Sequence, residues 1–261
     1  MAVLCRSGFL FPAGAVWAGE RSTDYIGNFY QIPATALGEV FTLDTDKLVR
    51  NLSIAGIGVL LYTQDESIRD FFQDDVVGAN RHWDRAVARH LQDISSPTGF
   101  LLFHGATSLT AYLTEDAYLM ETSLLSLQAV LLSVTAAEVS RSVSGRSRPS
   151  SEPKANDWSG SGRSFFSART AAATASMTIY AERYRAYPAA YWGAYGLAGL
   201  IALSDLHENA HWASDVFVGA VAGYGLAQLT LRLNPFDAGG STYILPLIVD
   251  EYIGLSFFHA F

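Results

Sequence analysis

Residues Ser204 to Gly219 read SDLHENAHWASDVFVG. A polar segment turns here into an apolar, helix-like one, VFVGAVAGYGLAQL. His211 and Asp215 stand four residues apart at that junction. Residues four apart share one face of a helix, so the spacing predicts an Asp215 carboxylate bonded to the His211 ring, fixing its tautomer. A histidine held this way serves as a nucleophile, a base or a metal ligand. An ordinary ion pair gives the same spacing, so the pair needs support from elsewhere in the chain.

That support lies upstream. In RSVSGRSRP, Arg141 and Arg148-Pro149 are spaced as R-x6-R-P. SFFSARTA, Ser164 to Ala171, then opens a second apolar helix. In order, spacing and helical context the three stretches resemble the three-part signature of the type 2 phosphatidic acid phosphatase (PAP2) and vanadium haloperoxidase superfamily. That signature reads K-x6-R-P, then P-S-G-H, then S-R-x5-H-x3-D. Three motifs in register are far more specific than one, and the resemblance extends over residues 40 to 232.

The resemblance implies an all-α helical bundle. The expected organisation is a leader over 1–18, a helical domain over 19–233 and a β-like tail over 234–261. It also implies a phosphohistidine mechanism, with His211 as nucleophile, Asp215 holding its ring, and no metal. The residues themselves suit that chemistry. Phosphoryl transfer needs cations around the phosphate oxygens, N–H donors, a nucleophile and an acid for the leaving group. Arg141 and Arg148 supply guanidinium forks that match a phosphate. Ser167 and Ala168, at a helix start, offer backbone N–H groups to an anion.

The departures from the pattern fall on chemistry. Arg141 replaces Lys and keeps the charge, and Phe166 and Ala168 replace Pro and Gly. Arg169 stands where the family has the His that protonates the leaving group, and arginine stays charged and cannot do so. Asp205 stands where the family has a phosphate-binding Arg. At about 4 Å and an effective dielectric near 20, a unit charge matters by roughly 4 kcal/mol, so this exchange weighs heavily against a bound dianion. Both altered positions face the same phosphate, which predicts an Arg169–Asp205 ion pair inside the pocket. His207, four residues before His211, is the nearest alternative acid in sequence.

Composition narrows the function classes. The chain has 261 residues, half of them hydrophobic, and a formal net charge of −8, with a pI near 5.2. The length suits one domain with appendages, and the acidity argues against nucleic-acid partners. Cys5 is the one cysteine, so no intrachain disulfide forms. Residues 1–18, MAVLCRSGFLFPAGAVWA, carry Arg6, a short apolar run and a Val16-x-Ala18 pattern, the form of an export signal. The location that follows is the periplasm or cell envelope. No uncharged run comfortably reaches the length of a membrane span. Thr122–Ala137 and Tyr187–Ser204 read as buried helices, and contact with a membrane surface stays open.

Periodicity predicts a helix over Asp44–Tyr62, with Asp44 as N-cap and Leu48, Leu52, Ala55 and Val59 on one face. A short helix in TQDESIRDFFQDD follows. Further helices are expected over Trp83–Leu91, Phe100–Leu113, Asp116–Val143 and about 167–185, 189–203 and 209–232. The polar loop Ser142–Arg163 reads as an active-site rim, with Trp158 as its anchor. The end, STYILPLIVDEYIGLSFFHAF, reads as a hairpin with Gly254 and Asp250-Glu251 as turn candidates. His82, His90 and His104 show no ligand spacing. Two functions follow: hydrolysis of a phosphate monoester, of a small molecule or a lipid headgroup, or a catalytically degenerate relative that binds a ligand or partner. A vanadate-dependent haloperoxidase is a third reading, separable by a bromination test, and is the one that requires a cofactor.

Overall fold

A computed structural model describes residues 25–41, 44–77, 83–151, 154–158, 162–234, 236, 242–249 and 252–259. The leader reading, residues 1–18, lies outside them, as do His82 and the Asp250-Glu251 turn. The architecture is all-α with a short C-terminal hairpin. Eight α-helices are described: α1 (Asn28–Val40), α2 (Thr45–Asp70), α3 (Trp83–Ile94), α4 (Pro97–Leu113), α5 (Ala117–Ser144), α6 (Ala168–Arg183), α7 (Pro188–His207) and α8 (Ala213–Arg232). Strands β1 (Thr242–Val249) and β2 (Tyr252–His259) pair antiparallel, Val249 opposite Tyr252. Gly254 lies within β2 opposite Leu247 and is not a turn residue.

Helix α6 is the centre of the bundle, packed against α5, α7 and α8. Its sequence explains why. Ala171, Ala172, Ala173 and Ala175 are buried, and such small side chains let three neighbours approach one helix closely. Helix α8 matches this with glycines one turn apart. A Cβ on Gly219 would sit 2.6 Å from the Ser167 carbonyl, and one on Gly223 would sit 2.2 Å from that of Ala171. Only glycine permits such backbone contact. It brings the N-terminus of α6 against the N-terminus of α8, where Ser167 N–H donates to the Asp215 carbonyl at 3.2 Å. Below this contact, Ala137, Phe166 and Ala171 form an apolar floor.

Several expectations need correction. Helix α2 does not stop at Tyr62; it runs to Asp70 and passes into a π-helical turn, Phe71–Val77. The stretch expected as a separate short helix is therefore its continuation. Asp44 does cap it, accepting from Lys47 N–H at 3.0 Å. The face carrying Leu48, Leu52, Ala55 and Val59 points outward, with Leu52 and Val59 each more than 60% exposed. The helix meets α8 through Gly58, against the Phe217 ring, and through the buried Asp65. A polar anchor, which hydrophobic periodicity does not weigh, sets its rotation. Residues 28–40, which show no clear period, are helical around Pro33.

Of the two apolar runs expected to be buried, only the first is. Helix α5 buries eleven residues. Helix α7 buries four near its C-terminal half, while Trp192, Leu200 and Leu203 are exposed. Among the described residues α5 is the one helix long and apolar enough to cross a membrane, and most of its apolar window is buried inside the bundle. His104 is a buried histidine of α4, packed edge-on against Phe103, and burial lowers its pKa to about 4.

Candidate active site

The site forms where α5 and α7 end and α6 and α8 begin. Helix α5 closes on Gly145 in the left-handed conformation (φ 64°), a C-cap glycine suits without strain. That cap turns the chain inward, so Arg146 becomes fully buried. The loop that follows is folded on itself. Ser147 N–H donates to the Asp157 carbonyl, Gly162 N–H to that of Gly145 and Ser164 N–H to that of Arg146. Trp158 anchors it, with its indole N–H on the Tyr62 hydroxyl at 3.2 Å.

Arg146, unremarked within the R-x6-R-P spacing, organises this end of the molecule. Its guanidinium donates to Asp65 Oδ2 (2.7 Å), Asp215 Oδ1 (2.5 Å), Ser214 Oγ (2.9 Å) and twice to the Ala155 carbonyl (3.0 and 2.9 Å). The rings of Tyr62, Trp158 and Trp212 surround it at 5.0 to 5.5 Å. Every donor of the fork is therefore used. Asp65 in turn accepts from Ser214 N–H at 2.8 Å and Ser214 Oγ at 2.5 Å, tying α2 to the first turn of α8. Asp65 gave no signal in the sequence, because it sits in a uniformly polar run.

His211 lies in the turn between α7 and α8 and is buried. Its ring is not held by Asp215, as the four-residue spacing predicts. Nδ1 is 2.8 Å from the Ser164 carbonyl, and a carbonyl only accepts, so Nδ1 carries the proton. Asp215 acts one step removed, its Oδ2 accepting from Ser164 Oγ at 2.5 Å and from Trp212 N–H at 3.2 Å. The reason is position: Asp215 is the third residue of α8, where its carboxylate caps the helix and meets Arg146. Burial raises the Asp215 pKa, and Arg146 and the Ser164 bond pull against that shift.

With Nδ1 protonated, Nε2 keeps its lone pair. It faces Arg141, whose Nη2 is 3.4 Å away. Burial lowers the His211 pKa to about 4; Arg141 and Arg148 push the same way, while Asp205 and the Ser164 bond push back. The ring is thus neutral and oriented at neutral pH. Arg141 also donates to the Phe166 carbonyl at 3.2 Å and to Glu138 at 2.8 Å, and Glu138 pairs in addition with Arg163. Arg148 is exposed at its surface, without a side-chain partner among the described residues, and its pKa is lowered by partial desolvation of the guanidinium and by the neighbouring charges of Arg141 and Arg169.

Arg169 and Asp205 do meet, Nη1 to Oδ1 at 3.3 Å. Both atoms are buried and neither completes an aligned hydrogen bond, so the contact is one of charge. Asp205 is fully buried, and its Oδ2 accepts from Ser167 Oγ at 2.5 Å and Thr170 Oγ1 at 2.8 Å. Ser167 Oγ caps α6 by accepting from Thr170 N–H at 3.1 Å. The Ser167 N–H expected to serve an anion is spent on Asp215, which leaves those of Ala168 and Arg169 as the open donors. His207 ends α7, and its carbonyl takes a bond from Gln73. The two ring nitrogens of His211 are served by Ser164 and Arg141, not by His207.

Fold and site define the class: an all-α protein with an oriented neutral histidine beside Arg141 at the ends of four helices. Residues 122–237, which carry all three motifs, match the family model described as the PAP2 superfamily. Over that stretch the chain is similar to a superfamily of phosphatase type. No curated protein and no solved structure matches the chain.

Proposed function

We propose that the chain cleaves phosphate monoesters through attack of His211 Nε2 on phosphorus. The observation that carries this reading is the bond from Nδ1 to the Ser164 carbonyl, which leaves Nε2 unprotonated beside Arg141. Arg148 and the N–H groups of Ala168 and Arg169 are available to the phosphate oxygens, and Arg141 reaches them from beside the nucleophile. Asp215 and Ser164 position the ring. The Arg169–Asp205 pair gives weight to the degenerate alternative, a binding module whose pocket is partly neutralised from within.

A cell-envelope location is the reading we hold for this chemistry. Exposed apolar side chains on α2, α4 and α7, such as Leu52, Leu60, Leu102, Leu113 and Trp192, suit contact with a lipid surface and so a lipid phosphate among the substrates.

Hydrolysis of an aryl phosphate tests the reading, since its leaving group departs without an acid. Purified protein is expected to release the phenol, and His211→Ala to release none above background. The nucleophile must be neutral, and its pKa lies near 4 instead of 6.5. Activity should therefore persist as pH falls through 6 and decline only near 4. Equal rates for protein and variant would favour the binding module.

A further inference from the structure

Resting on that phosphate-transfer reading, we propose that the groove between α2 and α8 is a subsite for a single hydrocarbon tail on the phosphorylated substrate. The groove has a volume of about 290 Å³. Ala55, Gly58 and Val59 of α2 line it opposite Phe217, Val218 and Val221 of α8. Its cause is the small side chains of α2 along that seam. A Cβ on Gly58 would make ordinary contact with the Phe217 ring at 3.8 Å, so the helices meet there without filling the space beside them. The groove follows α2 from Ile54 to Tyr62. The rise of an α-helix makes that about 12 Å, the reach of about ten chain carbons.

The lining selects the occupant. Its polar side chains are bonded to one another or to buried carboxylates. Arg146 is spent on Asp65, Asp215 and the Ala155 carbonyl, Ser214 Oγ donates to Asp65, and the Trp158 indole N–H rests on the Tyr62 hydroxyl. A peptide segment would need partners for its backbone N–H and C=O groups. A polar headgroup would lose water without return. A hydrocarbon chain needs neither. The inner end of the groove also adjoins the site. Tyr62 and Trp158 close it around Arg146, each ring 5.0 Å from the guanidinium, and Phe165 packs on Trp158 at 5.5 Å. Phe165 stands between the two residues whose carbonyls hold the reacting side chains, Ser164 for His211 and Phe166 for Arg141. A tail that leaves the phosphate along Phe165 and Trp158 therefore enters the groove.

The test is a series of 4-alkylphenyl phosphates, methyl to dodecyl, given to the full chain below micelle-forming concentrations. The expected kcat/KM rises roughly two- to four-fold with each methylene and levels off at about ten carbons. Ala55→Phe and Val59→Trp fill the groove from exposed positions, where a larger side chain leaves the core intact. Each is expected to flatten the rise while hydrolysing phenyl phosphate at the native rate. Decylphosphonate, which is not hydrolysed, gives a second reading. It should bind the native chain at least about 10²-fold more tightly than ethylphosphonate, and lose that gain in Ala55→Phe. Turnover independent of tail length would overturn the subsite and leave the phosphate reading intact. Tail-dependent phosphonate binding without turnover would uphold the subsite and sink the phosphate reading. A rise that both variants leave unchanged places the tail elsewhere and overturns the proposal. So does a native dimer that Ala55→Phe splits, because a second copy then fills the groove.

Discussion

Arg169→His is expected to raise turnover of an alkyl phosphate by about 10²-fold or more, with a much smaller gain on an aryl phosphate. The imidazole would stand at the start of α6, where Arg169 now reaches Asp205 at 3.3 Å. A carboxylate at that range favours the protonated ring, which keeps the new group in the form that can protonate a leaving oxygen. General acid catalysis of this kind is worth roughly 10²- to 10⁴-fold. Aryl leaving groups depart without help, so the ratio of the two gains reports acid catalysis and not a general improvement in binding. The same imidazole, once deprotonated by the first step, can accept the proton of water in the second. Equal gains on both substrates would show that the substitution acts through charge alone.

Arg146→Met is expected to cost about 3 to 5 kcal/mol of stability, the range for removing one partner of a buried ion pair. The side chain is fully buried, and two carboxylates, Asp65 and Asp215, lose their cation together. For a chain of this size each kcal/mol lowers Tm by about 2 to 4 °C, so the melting point should fall by about 10 °C. Asp65→Asn in the Arg146→Met background should recover part of the loss, because one of the stranded charges is removed. A denaturant series on the four proteins measures that coupling. A single-variant loss within 1 kcal/mol, or strict additivity in the double variant, would contradict a closed network around Arg146.

These two arginines also show how far the sequence can be read. The positions of Arg141, Arg148, Arg169, Asp205, His211 and Asp215 are legible through the resemblance of three motifs in register to one signature, which no single pair of residues carries. The Arg169–Asp205 pair is legible from the same resemblance, which implies that the two altered positions are neighbours, and they meet at 3.3 Å. Asp44 caps its helix as its position suggests, whereas Asp116, expected as the first residue of its helix, caps it instead. What spacing does not carry is which neighbour wins a given hydrogen bond. Asp215 has the right interval to hold His211, yet helix capping and Arg146 claim its oxygens, and a backbone carbonyl takes the imidazole instead. Backbone acceptors leave no mark on side-chain patterns.

The rotation of α2 is illegible for a related reason. Its apolar residues occur on all sides, and the decision falls to Asp65 and Gly58, a buried charge and an absent side chain. Hydrophobic periodicity assigns neither any weight toward the core. Arg146 is hidden similarly, since an arginine in a Ser- and Gly-rich loop reads as solvated until a left-handed glycine turns it inward.

The central claim is a neutral His211 with Nδ1 protonated and Nε2 free for bonding to phosphorus. Nitrogen-15 NMR of histidine-labelled protein, titrated from pH 7 to 4 with and without orthovanadate, tests it most directly. The expected spectrum shows an Nδ1–H tautomer persisting to about pH 4, with vanadate, a mimic of the transferred phosphoryl group, shifting Nε2 and sparing Nδ1. An imidazolium already formed at pH 6, or an Nε2 signal that vanadate leaves unmoved, would contradict it.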